Sequence, residues 1–251
     1  LVILELNQII NDFFFEILTI LIILIFFYFI TKKKQLLAVK KDIKRIAYIG
    51  ILSIFVIFFW VGFEQAGGSL TLFANNSVDR YLLGFVIPAS FFQSINPLII
   101  ILIGPMIANF WLWSDRSKNN INTPQKMGLG LLLLAGGFFL ITLVINASDT
   151  SISLWWLVGV YFLHTLGELC LSPIGLSMVS KVSPKKIASL MMGFWFLSSA
   201  VANFTAGKLP GILQSNNIDL FTFLTFTSLI AGISLMIFSN LMEKLIIDDR
   251  R

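Results

Sequence analysis

Polar residues break this chain only at wide intervals, and between the breaks the sequence is almost wholly apolar. A bilayer-crossing helix needs about 20 mostly apolar residues. By that measure seven segments qualify: Phe13 to Ile30, Ile46 to Leu72, Phe85 to Trp113, Met127 to Ile145, Leu154 to Val179, Leu190 to Thr205 and Leu220 to Leu241. The second and third exceed what a bilayer demands, which leaves room for tilt or a kink. The first is Ile, Leu and Phe almost throughout, with no Gly or Pro, and reads as a peripheral, lipid-facing helix. The predicted organisation is an all-α membrane protein. An accessory transmembrane helix over residues 1–31 and a basic linker over 32–45 precede a six-helix bundle over 46–242 and a tail over 243–251.

Within the bundle, positions three or four apart share a helix face, and the polar side chains fall into single columns. Trp60 and Glu64 form one, His164, Glu168 and Ser172 a second, and Trp195, Ser199 and Asn203 a third. Glu64 and Glu168 are the sharpest features. An ionised group at bilayer depth costs a few kcal/mol or more, so one that persists there faces a watery cavity, an ion path or a countercharge. The bland alternative is a structural interhelical hydrogen bond or buried pair. For His164 the bland reading, a packing residue, is the stronger one. Taken alone, Trp60, Trp195 and Phe196 fit bundle packing as well as a pocket wall. Trp111, Trp113, Trp155 and Trp156 stand at span ends, where interfacial anchors belong. Small residues cluster at Ala66-Gly67-Gly68-Ser69 and Gly128-Leu129-Gly130, where they permit close helix approach. Pro88, Pro97, Pro105 and Pro173 each remove a backbone donor in or beside a span, and such breaks mark binding sites in transporters.

Composition narrows the class further. Hydrophobic residues make up 57% of the 251 and charged residues 12%, with a mean hydropathy of +0.89, against about a quarter charged in a soluble domain. The net charge of +5 does not point to nucleic acid, because the basic residues lie in short clusters between apolar runs. If Lys32 to Arg45 is cytoplasmic, alternation places sixteen of the 18 Lys and Arg on that side, with only Arg80 and Lys208 opposite. The N-terminus is then outside and the C-terminus cytoplasmic. Leu1 to Asp12 has no basic signal-peptide region, and the chain reads as the C-terminal part of a longer polytopic protein. A single cysteine, Cys170, allows no intrachain disulfide. No metal-ligand cluster surrounds the one histidine, and neither a phosphate-cradling loop nor a nucleophile with a base is present. We therefore nominate no catalytic residue and expect no cofactor.

Four stretches now carry a resemblance: FWVGFEQAGGSLTLFA (Phe59 to Ala74), FQSINP (Phe92 to Pro97), LHTLGELCLSPIGLS (Leu163 to Ser177) and GFWFLSSAVANFTA (Gly193 to Ala206). They resemble the proton-dependent oligopeptide transporter family, a branch of the major facilitator fold. The order matches the second of two extra bacterial helices, the basic linker, and transmembrane helices seven to twelve. The family's first six helices, with their paired glutamates and arginine and a lysine on helix four, have no counterpart here.

The resemblance implies proton-driven import of di- and tripeptides across a bacterial inner membrane, by alternating access between two six-helix halves. It makes Glu168 the carboxylate that holds the peptide's amino terminus and Asn96 the amide that hydrogen-bonds its backbone. Trp60, Trp195, Phe196 and Ser199 become pocket-lining residues. Glu64 becomes the proton-coupling carboxylate, which pairs with a lysine of the missing half. The implied partners are peptides, protons, the lipid bilayer and that N-terminal six-helix half. A relative carrying nitrate or another small solute is the alternative within this class. A non-transporting structural remnant of a truncated gene is the alternative outside it.

Overall fold

The computed structural model describes residues 42–116, 121–147 and 151–247, so the accessory span and most of the basic linker lie outside the described residues. Among the described residues six helical stretches are long and apolar enough to cross a membrane, one for each span expected of the bundle. Helix α1 (Ile43–Phe63) passes through a 3-10 turn (Glu64–Gly67) into α2 (Ser69–Ser77), and these together form the first span. A second 3-10 turn (Ala89–Ser94) leads into α3 (Ile95–Arg116). Then follow α4 (Thr123–Ala147), α5 (Leu154–Val182), α6 (Ala188–Ser215) and α7 (Leu220–Ile247).

Short strands finish one end of the bundle. Strand β1 (Val78–Asp79) pairs in parallel with β4 (Ile152–Ser153), joining the α2 and α5 connections. Strands β2 (Tyr81–Leu82) and β3 (Phe85–Val86) make a hairpin whose two turn residues, Leu83 and Gly84, have φ of 50° and 90°. Positive φ at both positions is what a type I′ hairpin turn requires. This hairpin corrects the expected start of the span at Phe85. The apolar run continues through Phe85 and Val86, but the hairpin and Pro88 hold the backbone extended there, so the span begins at Ala89.

Two other boundaries move outward. Helix α1 begins at Ile43, so the last residues of the stretch read as linker are helical, with Arg45 reaching back 3.6 Å to Asp42. Helix α6 continues past the expected end at Thr205, through Lys208 and Pro210. The Lys208 ammonium lies 4.6 Å from the centroid of the Phe204 ring, so its long stem runs along the helix it belongs to. A hydropathy window stops at such a charge, whereas backbone hydrogen bonding does not.

Helix α4 is the hub of the packing, and glycines set its distances. A Cβ on Gly130 would stand 2.7 Å from the Gly167 carbonyl oxygen of α5, and one on Gly128 would stand 3.1 Å from the Gly232 carbonyl of α7. The Gly128-Leu129-Gly130 motif thus serves two neighbours, one glycine for each. Around these crossings Leu52, Val56 and Phe59 of α1 close a core with Leu131, Leu134 and Phe138 of α4 and Leu224 and Leu235 of α7. By contrast, α3 leaves Leu98, Ile101, Leu102, Met106, Phe110 and Trp113 exposed. An apolar face this long meets lipid or further protein.

Candidate functional site

Glu64 stands where α1 breaks. The backbone leaves the α-helix at Glu64, tightens into the 3-10 turn, and passes Gly68 at φ −116° and ψ −100° before α2 resumes. Side chains hold the break on each side. Gln65 is buried, and its Nε2 donates to the Val61 carbonyl at 3.2 Å and to the Ala206 carbonyl of α6 at 3.1 Å. Its Oε1 accepts from Ser69 Oγ at 2.8 Å. The Tyr161 hydroxyl of α5 donates to the Ala66 carbonyl at 3.3 Å. Backbone groups freed by the break are thereby satisfied within protein, as membrane depth demands.

Across from the break, α3 and α5 bring Asn96 and Glu168 together. Asn96 Nδ2 donates to Glu168 Oε2 at 2.7 Å and to Thr165 Oγ1 at 3.1 Å, while the Thr165 hydroxyl donates to the Tyr161 carbonyl at 2.7 Å. Both Asn96 N–H groups are therefore committed, and what this amide can still offer a ligand is its carbonyl oxygen, an acceptor. Glu168 is half-buried, and the Asn96 bond occupies one of its two oxygens. A cavity of about 220 Å³ brings Glu64 and Asn96 together with Phe63, Gln93, Tyr161, His164 and Thr165, while Glu168 stands outside its lining. Glu64 itself is exposed.

The remaining expected site residues divide. Trp60, one helical turn before Glu64, is half-buried and meets Phe63 edge to face, with centroids 5.3 Å apart. On α6, Phe196 is 57% exposed and Ser199 half-buried. Trp195 is only 4% exposed, and its ring seats on Gly175 of α5. Gly175 is seven residues along α5 from Glu168, so this contact lies two turns, about 10 Å, from the carboxylate. Of the His164–Glu168–Ser172 column, His164 borders the cavity but packs its ring against α4. It is 2% exposed, with its ring 4.6 Å from that of Phe138 and its edge over Gly137 of α4, as a packing residue would be.

Sequence reasoning missed Gln65, Thr165, Tyr161 and Gln93. A signal existed for two of them: Tyr161, Thr165 and Glu168 follow i, i+4, i+7 spacing, the face that meets Asn96. Gln93, whose Nε2 donates to Thr71 Oγ1 at 3.0 Å, lies in the 3-10 turn, where helical periodicity gives no guide.

Comparison with known proteins shows the family. The family model described as POT family matches residues 4–226. The chain is 38% identical over 187 residues to the peptide transporter YePEPT of Yersinia enterocolitica, covering 72% of this chain and 36% of that protein. It is 33% identical over 165 residues to dipeptide and tripeptide permease A of Escherichia coli, covering 65% of this chain and 32% of that protein. It therefore spans about a third of the length of the curated relatives it matches. Among solved structures, a peptide transporter POT in complex with sulfate superposes with a TM-score of 0.78 at 29% identity, over 94% of this chain and 48% of that one. A POT family transporter in complex with a thioalcohol-conjugated peptide gives 0.75 at 28% identity, over 90% of this chain and 47% of that one. Six membrane-length helices among the described residues and a family match over most of its length make the chain a member of the POT family of membrane transporters.

Proposed function

We propose that this chain is the C-terminal half of a proton-coupled di- and tripeptide symporter that works by alternating access against an N-terminal six-helix half. The Asn96–Glu168 contact carries this reading. It holds a carboxylate of one helix beside an amide of another, and that amide, Asn96, lines the same cavity as Glu64. In this reading the other oxygen of Glu168 receives the peptide ammonium, and the Asn96 carbonyl accepts a peptide N–H. A charge-assisted hydrogen bond in a cavity of low dielectric suits that task. Trp60, Phe196 and Ser199 form the wall that accepts varied side chains, with Trp195 behind it. Glu64 is the proton-coupling group: a proton on it breaks its pairing with a lysine of the other half and frees one half to move. The protein sits in a bacterial inner membrane with its C-terminus cytoplasmic. The basic ends of α4, α5, α6 and α7, with Lys126, Lys181, Lys185, Lys186 and Lys244, share that side.

The test uses the complete transporter, this chain assembled with its N-terminal half. Glu168→Gln is expected to weaken binding of dipeptides with a free amino terminus at least about tenfold, since one charged partner of a desolvated pair is gone. N-acetylated dipeptides bind the wild type poorly and lose little further. Equal losses for both would remove Glu168 as the amine receptor. Glu64→Gln is expected to abolish accumulation driven by a pH gradient while counterflow exchange survives. Undiminished accumulation would move coupling elsewhere.

A further inference from the structure

A second cavity, of about 590 Å³, lies between α3, α4 and α5 and shares no lining residue with the Glu64–Asn96 pocket. Along most of its length the walls are apolar: Ile100, Ile107 and Leu112 on α3, and Leu169, Ile174 and Met178 on α5. Ile100 to Leu112 spans about 18 Å at the helical rise, roughly half the thickness of a bilayer's hydrocarbon core. Pro105 and Pro173 face this cavity from opposite walls. Each interrupts its helix's hydrogen-bond ladder, which lets helices bend apart.

One end of the groove is polar. Lys126 enters from the first turn of α4, Asp115 from the last turn of α3 and Lys181 from the last turn of α5. Lys126 is 6% exposed; its ammonium bonds Asp115 and stands 5.1 Å from the centroid of the Trp111 ring. Trp111, expected from sequence to be an interfacial anchor, is instead 7% exposed, because the buried ammonium draws its ring face. Its Nε1 is buried without a hydrogen-bond partner among the described residues. An ammonium carries three donors and Asp115 occupies one of them. The end of the groove therefore offers N–H donors in excess of acceptors, and two cations, Lys126 and Lys181, against one carboxylate.

We propose that this groove binds an anionic phospholipid, with one acyl chain between α3 and α5 and the phosphate at Lys126, Lys181 and Trp111 Nε1. The polar end coincides with the ends of three helices, which is where a headgroup sits. The apolar length fits one leaflet. Basic pockets between transmembrane helices recruit anionic headgroups by the same electrostatics. The assignment does not depend on the transport reading, and a transporter of any substrate would carry it.

The experiment uses the full 251-residue chain purified in mild detergent. Binding of phosphatidylglycerol and phosphatidylcholine is titrated by native mass spectrometry, with inorganic phosphate as competitor. Phosphatidylglycerol is expected to bind more tightly. Lys181→Gln, an exposed position, is expected to weaken it about fivefold while leaving phosphatidylcholine unchanged, the worth of one lysine at a lipid headgroup. Gly104→Leu is expected to weaken both lipids, because a Cβ there meets Leu169 at 3.7 Å and Ile100 at 3.9 Å and the added carbons fill the groove. Lys126→Gln combined with Asp115→Asn removes the pair without stranding either charge, and is expected to abolish the preference for phosphatidylglycerol. Equal affinity for the two lipids, or variants without effect, would overturn the proposal. Full displacement of lipid by millimolar phosphate would also overturn it, by showing a site for a free anion. Should Gly104→Leu fail to fold, Lys181→Gln decides.

Discussion

Gly167, the residue before Glu168, offers the most direct test of how the site is positioned. A methyl group placed on it would lie 2.7 Å from the Gly130 carbonyl oxygen and 3.3 Å from the Phe59 ring. Ordinary contact begins near 3.4 Å, so α4 and α5 would have to separate by about 0.7 Å. The obstacle is backbone, which cannot swing aside as a long side chain can. Overpacking of this kind costs about 1–3 kcal/mol, while replacing Gly by Ala inside a helix returns up to about 1 kcal/mol. Gly50→Ala on α1 isolates that second effect, since nothing stands within 4 Å of a Cβ there. In a chain of this size 1 kcal/mol shifts a thermal midpoint by about 2–4 °C. The Gly167→Ala midpoint, followed by tryptophan fluorescence, is therefore expected about 2–12 °C below that of Gly50→Ala. In the complete transporter the same substitution is expected to weaken peptide binding, because Glu168 moves with α5 relative to Asn96. Coincident midpoints would refute the claim that this crossing sets the distance between the two helices.

Three further outcomes follow from particular contacts. Trp195→Ala should destabilise the bundle by about 3–5 kcal/mol, the cost of emptying a buried aromatic site; an unchanged midpoint with weakened peptide binding would make Trp195 a pocket wall rather than packing. Asp115→Asn should lower the midpoint more than Lys126→Met, since the first strands an ammonium whose side chain is 8% accessible and the second leaves a carboxylate that is 50% accessible; the reverse order would show that the pair is not governed by burial of the lysine. Cysteines placed singly at Lys186 and Asn216, both exposed, should be labelled by an impermeant maleimide only from the cytoplasmic and only from the outer side respectively, with little background from buried Cys170, and reversed labelling would invert the topology.

The spans were legible because lipid imposes one rule on the whole helix: length and apolarity suffice to mark it. The same uniformity hid the boundaries. Phe85 and Val86 are as apolar as any helical pair, yet they form a strand, because a two-residue turn at Leu83-Gly84 and the fixed φ of Pro88 decide the backbone there. Periodicity could place Glu168 on a face but not name its partner, since Asn96 is on a different helix and its register depends on how α3 and α5 pack. His164 shows the limit from the other side. It shares a column with Glu168, but the gap left by Gly137 lets its ring turn into α4, and spacing along one helix carries no information about a glycine on another.

Glu64 and Gln65 show how neighbouring polar residues in one apolar run come to do opposite things. In the 3-10 turn that they open, successive side chains lie about 120° apart, so one of an adjacent pair can be exposed while the other faces the bundle. Here Gln65 turns inward, where its amide ties the Val61 carbonyl of α1 to the Ala206 carbonyl of α6. Glu64, one position earlier, is exposed. The amide is suited to the inward role because it is neutral and both donates and accepts, so it closes a break in the ladder without bringing charge into the packing. The carboxylate suits the exposed one, because its charge can be lost and regained. The backbone between them and α2 is the least regular in the span, with its 3-10 turn and Gly68. In the transport reading, a change of charge on Glu64 would act where this span is already broken, beside the bonds of Gln65, Tyr161 and Ser69 that join the break to α6, α5 and α2.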